Sequence, residues 1–270
     1  MSFLNLRLRK QILAGVVVLS MAMASTFLSA AQSVSDSRLR RDSEAVKIIT
    51  QALDQMGGQA AWTAITDSTA SGSCDLLDPT GKSYAKATFR WVTAGKEHRY
   101  EFSRDGKTSV HLSGGGSPRL ATPAGTVQLS PKLSQLLRPY HIPSLALEDL
   151  LKDGSRTLIY EGEERVAGSE LLHITSNGYE GASVTMGSTE DWWFDPQSGL
   201  PVKVRYSTLA SIGVRVEPRE TTFQTWTNSG NLRYPAQIQD SLDGRFAQRT
   251  CSQDSVTFNT NPNPHTFDAR

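Results

Sequence analysis

The sequence predicts a mainly β domain of α+β type: one antiparallel sheet curled around an apolar face, with a helix before it and shorter helices inserted in its middle. Three observations predict this. From about residue 84 onward, apolar and polar residues alternate with period two in one segment after another. Turn clusters rich in Gly, Asp, Asn and Pro separate the segments at short intervals, which implies antiparallel neighbours because a parallel pair needs a long crossover. An amphipathic helical stretch precedes the strands, and two Leu-rich stretches interrupt them.

At the N-terminal end, Arg7, Arg9 and Lys10 form a basic start with no acidic residue before Asp36. An apolar run from Ile12 to Leu19 follows, weakens through Met21 to Leu28, and closes on Ser29-Ala30-Ala31. This is the pattern of a secretory signal over residues 1–31, cleaved before Gln32. A retained anchor is the alternative, but Ser20, Ser25, Thr26 and Ser29 interrupt the run, and a spanning helix needs ~20 predominantly apolar residues. The expected mature chain, residues 32–270, is a single domain destined for the periplasm or for secretion.

Over residues 37–56, Leu39, Val46, Ile49, Leu53 and Met56 fall on one helical face. Gly57-Gly58 supplies the left-handed residue that ends such helices. Strands are then predicted at 84–92, 98–102 and 107–112, with Phe89 and Trp91 on one face of the first and Lys86, Thr88 and Arg90 on the other. Helices are predicted at 131–140 and 144–153, kept apart by Pro139 and Pro143. Leu133, Leu136 and Leu137 give the first an apolar patch, and Leu145, Leu147, Leu150 and Leu151 give one to the second. Strands resume at 157–166, 170–176, 189–195, 200–208, 213–227, 232–240 and 245–258. An open sheet of about ten strands tends to curl or close, so its apolar face becomes concave and the helices cover it.

Composition excludes several functions. Without the three basic residues of the signal, 25 basic side chains stand against 27 acidic, a net of −2, and no basic run offers a footprint for nucleic acid or an anionic membrane surface. The five histidines, His98, His111, His141, His173 and His265, are scattered singly, without metal-ligand spacing. No Gly-x-Ser-x-Gly elbow occurs, and Gly114-Gly115-Gly116-Ser117 lacks the Lys of a phosphate loop and reads as a hairpin tip. The expectation is therefore a protein that is not an enzyme and uses no cofactor or metal. Cys74 and Cys251 are the two cysteines. An oxidising compartment would let them pair, and two buried thiols are the alternative.

Residues 191–203, Asp-Trp-Trp-Phe-Asp-Pro-Gln-Ser-Gly-Leu-Pro-Val-Lys, read as strand, tight turn and return strand, with Trp192 and Phe194 on one side and Trp193 on the other. This aromatic-Asp-Pro-x-x-Gly-Leu-Pro-x-Lys hairpin resembles that of the bacterial lipoprotein carriers of the LolA/LolB type. Their relatives include the RseB-type anti-sigma-factor regulator and mycobacterial lipid-binding lipoproteins. Met56-Gly57-Gly58, Trp62, Tyr234-Pro235 and Asn259 are similar too, and the likeness covers most of residues 40–267. The chain departs from the pattern in having no identifiable locking arginine and no cysteine lipid anchor.

The resemblance implies an incomplete antiparallel β-barrel of ten to eleven strands, with helices covering a hydrophobic cavity that accepts acyl chains. Strand alternation selects Phe89, Trp91, Tyr100, Phe102, Trp192, Phe194, Val202, Val204 and Tyr206 as its wall, subject to the rule that a one-residue slip reverses a strand. The expected function is binding or carrying a lipid or acylated ligand in the cell envelope. The alternatives are an envelope-stress sensor that contacts another envelope protein and, third, an enzyme using the same concave face.

Overall fold

A computed structural model describes residues 40–113, 118–130, 140–180, 183–184, 189–211, 215–242, 244 and 246–268. The signal segment, the glycine tip at 114–117 and all but Tyr140 of the helix predicted at 131–140 lie outside the described residues.

Helix α1, Ser43–Gln55, buries Ala45, Ile48, Ile49, Ala52 and Leu53; of the face predicted from spacing, Ile49, Leu53 and Met56 are buried, Val46 is half-buried and Leu39 lies outside the described residues. It ends where the Gly58 amide donates to the Leu53 carbonyl at 2.9 Å and the Gly57 amide to that of Asp54 at 3.2 Å, a closure that needs the positive φ of 123° at Gly57. A side chain there would also lie 2.5 Å from the Asn231 carbonyl oxygen. A second, shorter helix, α2 at Gln59–Thr63, leads toward the sheet. Its Trp62 donates from Nε1 to the Met56 carbonyl at 3.1 Å and meets Phe258 edge-on at 5.3 Å.

The strands are β1 Asp67–Leu77, β2 Ser83–Ala94, β3 Glu97–Arg104, β4 Lys107–Ser113, β5 Arg119–Thr122, β6 Gly125–Gln128, β7 Arg156–Val166, β8 Ser169–Glu180, β9 Ser183–Val184, β10 Glu190–Phe194, β11 Pro201–Ser211, β12 Arg215–Ser229, β13 Leu232–Leu242 and β14 Phe246–Phe258. They form one 14-stranded sheet in the order β6-β5-β4-β3-β2-β1-β14-β13-β12-β11-β10-β8-β7, with β9 on β8. Among the described residues the count exceeds the ten to eleven strands expected: β1, rich in Ser with a Gly at its centre, is absent from the segments that alternation picks out, and β5, β6 and β9 span only four, four and two residues, too short for alternation to register.

The order explains the architecture. Strands β1 and β14, from opposite ends of the domain, pair in the middle of the sheet, with Cys74 directly opposite Cys251. The edges are β6 and β7, which among the described residues do not pair with each other, so the sheet is not closed. The connection between these two edge strands carries helix α3, Pro143–Lys152. The β7 edge is partly covered: Arg41 bridges Leu158 in parallel fashion, and the Asp42 carboxylate accepts the Tyr160 amide at 3.1 Å. Such cover blunts a row of unpaired backbone groups that could template aggregation.

Cys74 and Cys251 form a disulfide, which resolves the two alternatives for the cysteines. At the end of the sheet, the buried Asp67 carboxylate accepts the amides of Thr260 at 2.7 Å and Asn261 at 3.2 Å, tying the C-terminal segment to β1. Among the described residues, no helix is long and apolar enough to cross a membrane.

Candidate functional site

Alternation decides what lies on the concave face. Ala70, Cys74 and Leu76 of β1, Ala87, Phe89 and Trp91 of β2, Trp192 and Phe194 of β10, Val204 of β11, Phe223 of β12 and Ile238 of β13 form one buried cluster with α1 and with Ala146, Leu147 and Leu150 of α3. Both helices therefore pack on the concave side. The far end of α3 is fixed by Arg41, whose guanidinium donates to the carbonyls of Leu150 at 2.9 Å, Leu151 at 3.1 Å and Asp153 at 2.8 Å. These are terminal carbonyls that the helix itself leaves open. Thr63 of α2 adds a bond to Glu148 at 2.8 Å.

Just before α3, two aromatic side chains insert into the two halves of the sheet. Tyr140 packs 4.3 Å from Tyr206 and 5.8 Å from Trp192. His141, 1 % exposed, stacks on Phe89 at 4.2 Å and lies near Tyr100 and Trp91. Gln253 of β14 holds this segment by donating to the His141 carbonyl at 2.9 Å.

Beside the aromatics lies a buried polar network. Asp240 of β13, 2 % exposed, accepts Arg249 at 2.6 Å and the Thr221 hydroxyl at 2.6 Å. Thr221 shares a hydrogen bond with the Tyr206 hydroxyl at 3.1 Å, and Arg249 donates to the Tyr100 hydroxyl at 3.3 Å. Burial works to raise the pKa of Asp240, but Arg249 and the Thr221 hydrogen bond more than offset it and hold the carboxyl below its ordinary value. Burial raises the Tyr100 and Tyr206 phenols. Burial, with Arg249 close by, lowers His141 to about 3, so its imidazole stays neutral.

The opposite face of the hairpin at 191–203 is chemically distinct. Trp193 stacks on His173 at 4.6 Å with planes 10° apart, lies under the Lys203 ammonium at 4.3 Å, and donates from Nε1 to Glu164 at 2.8 Å. The turn between the strands is set by Asp195, whose carboxylate accepts the Gln197 amide at 3.0 Å and the Ser198 hydroxyl at 2.7 Å. Trp192 and Trp193 thus point to opposite sides of the sheet, as the strand period requires.

Of the nine residues selected from sequence, eight meet in the cluster: Phe89, Trp91, Trp192, Phe194 and Val204 are buried in it, and Tyr100, Phe102 and Tyr206 pack against it. Val202 does not join them. The ladder pairs Trp193 with Lys203 but Phe194 with Pro201, so Val202 is the extra residue of a bulge and is half-buried. Tyr140, His141, Thr221, Asp240, Arg249 and Gln253 were missed. For Asp240 a signal existed, since it keeps the inward phase of Ile238. Among the described residues, no three His, Cys, Asp or Glu side chains gather as metal ligands would.

No protein-family model and no curated protein sequence matches the chain. Three of the solved structures to which it is similar illustrate the likeness. A DUF1329 family protein from Desulfovibrio piger has a TM-score of 0.55 at 12% identity, covering 85% of this chain and 98% of its own. A LolA superfamily protein from Nitrosomonas europaea has a TM-score of 0.52 at 12% identity, with 81% and 94% covered. A domain from Vibrio parahaemolyticus assigned to outer membrane lipoprotein sorting has a TM-score of 0.51 at 13% identity, with 83% and 95% covered. At this identity the likeness is one of fold: the chain is a mainly β protein whose open, barrel-like sheet is similar in fold to those of these structures.

Proposed function

We propose that the chain is an exported, non-catalytic binder or carrier of hydrophobic ligands, acyl chains of a lipid or lipopeptide, in the bacterial cell envelope. One observation carries the reading: Phe89, Trp91, Trp192, Phe194 and Val204 meet on the concave face of a sheet whose two edge strands, β6 and β7, do not pair with each other among the described residues. An unclosed sheet can change its curvature, and helices that touch it through side chains can shift without breaking a β-ladder. An apolar chain taken between sheet and helices gains ~0.8 kcal/mol per buried CH₂, which over a long chain outweighs modest rearrangement. The basic, apolar and small-residue pattern of residues 7–31 supports export. The fold likeness to a domain assigned to lipoprotein sorting supports an envelope role.

The polar groups of the interior favour binding over catalysis. Asp240 is held by Arg249 and Thr221, while the His141 ring nitrogens bond to no described residue, so no hydrogen bond joins the two, although their charges act on each other. The test is titration of the mature protein with a fluorescent fatty acid. Saturable binding that unlabelled fatty acid displaces is the expected result, and absence of binding would refute the reading.

A further inference from the structure

The concave face is apolar except around His141, and the polar atoms there are incompletely partnered. Both ring nitrogens of His141, Trp91 Nε1, Arg219 Nε and Gln253 Oε1 are buried without a hydrogen-bond partner among the described residues. His141 is 1 % exposed and Trp91 2 %, and their rings lie 6.1 Å apart. Arg219 keeps the inward phase of Thr221 and Phe223 on β12, and its charge acts on both the Tyr100 and Tyr206 phenols. Each buried polar group left unsatisfied costs ~1–3 kcal/mol, so such a concentration in one place is unusual for a finished core and ordinary for a binding site.

The chemistry of these atoms defines what would complete them. Trp91 Nε1 and Arg219 Nε are donors only, and a neutral imidazole offers one donor; Gln253 Oε1 is an acceptor. Arg249 is paired with Asp240, and Arg219 adds a second guanidinium whose charge acts on the Tyr100 and Tyr206 phenols. An acceptor bearing negative charge satisfies both counts, since charge-assisted hydrogen bonds are about twice as strong as neutral ones. Aromatic wall lies on either side: Phe89 and Tyr100 around His141, Tyr206 and Trp192 around Tyr140.

We infer that His141, Trp91, Arg219 and Arg249 form a head-group subsite inside the concave face that takes the carboxylate of a single-chain fatty acid, whose tail lies along the aromatic wall. This rests on the acyl-binding reading above and deepens it. Asp240 is a positioning residue in this scheme, fixing Arg249 while leaving Arg219 uncommitted to it.

The test compares laurate with dodecanol, equal in chain length and different in charge, by calorimetric titration of the mature protein at pH 8. Laurate should bind about tenfold more tightly, the equivalent of one charge-assisted contact. In Arg219→Gln the laurate-to-dodecanol ratio should fall to about one. His141→Phe, which keeps the stack on Phe89 and removes the nitrogens, should lower the ratio in the same direction, with thermal melts verifying that both variants fold. Equal affinities in the unmodified protein, or a ratio unmoved by both substitutions, would overturn the subsite and leave acyl binding standing. Failure of both ligands to bind would overturn the subsite and the function on which it rests.

Discussion

The imidazole of His141 lies against the ring of Phe89, centroids 4.2 Å apart and planes inclined by 24°. A basic group from the segment before α3 is thereby buried on the second strand of the sheet, with the Arg249 charge nearby. The contact joins the helical cover to the concave face and commits His141 to its neutral form.

The first prediction concerns pH. Burial, then Arg249, depresses His141 to about 3, and burial depresses His111 to about 4. In the unfolded chain both return to about 6.5. Below that value the unfolded state binds protons that the folded state refuses, so stability falls as pH drops from 6.5 toward 4 and is fully present above 6.5. His141 alone should cost on the order of 2 kcal/mol at pH 5 relative to pH 8. Urea unfolding at the two pH values measures this, and His141→Phe should show a smaller difference. Equal stability of the unmodified protein at both would contradict the burial of His141.

The second concerns the disulfide. Cys74 and Cys251 are 177 residues apart in sequence and adjacent in the sheet, so the bond restricts a very large loop in the unfolded chain. Replacing both by Ala should lower the unfolding free energy by about 4–5 kcal/mol. Reductant should bring the unmodified protein to the same level while leaving the variant untouched. A reductant-insensitive transition in the unmodified protein would show that the bond does not form.

The third separates the faces of the hairpin. Trp192 contacts Tyr140, Phe194 and Phe223 within the core, whereas Trp193 stacks on His173 outside it. Trp192→Phe should weaken fatty-acid binding several-fold, and Trp193→Phe should leave it unchanged while removing the Nε1 bond to Glu164. Losses of equal size would mean that the concave face is not the binding face.

The fourth is a steric one. Gly72 sits at a bulge between β1 and β14, where an added Cβ would lie 1.9 Å from the Ser252 carbonyl oxygen and 2.9 Å from Phe89. Gly72→Ala must displace backbone, so it should destabilise by roughly 1–3 kcal/mol. A melting temperature equal to that of the unmodified protein would show that β1 and β14 are not this close.

Sheet, helix faces and the phase of the wall were legible because each depends on local period: Phe89 and Trp91, or Trp192 and Phe194, alternate whatever lies across from them. Val202 escaped because the bulge opposite Trp193 and Phe194 is a property of two paired strands and leaves no mark in either alone. The hairpin β5–β6 has too few residues to show a period. Asp240 keeps the inward phase of Ile238 and Arg249 that of Cys251, but only the pairing of β13 with β14 brings the two charges together, nine residues apart, on the inner face. In sequence His141 is an isolated histidine, since its surroundings come from β2, β3 and β14, all distant along the chain.

The most direct test of the central claim is native mass spectrometry of the mature protein purified from a bacterial periplasm, followed by lipid extraction. Acyl-chain binding predicts a stoichiometric co-purifying species with the mass of an acyl lipid, lost on organic extraction. A clean apo mass, together with no uptake of a fluorescent fatty acid, would contradict the claim and point to a concave face filled by its own side chains.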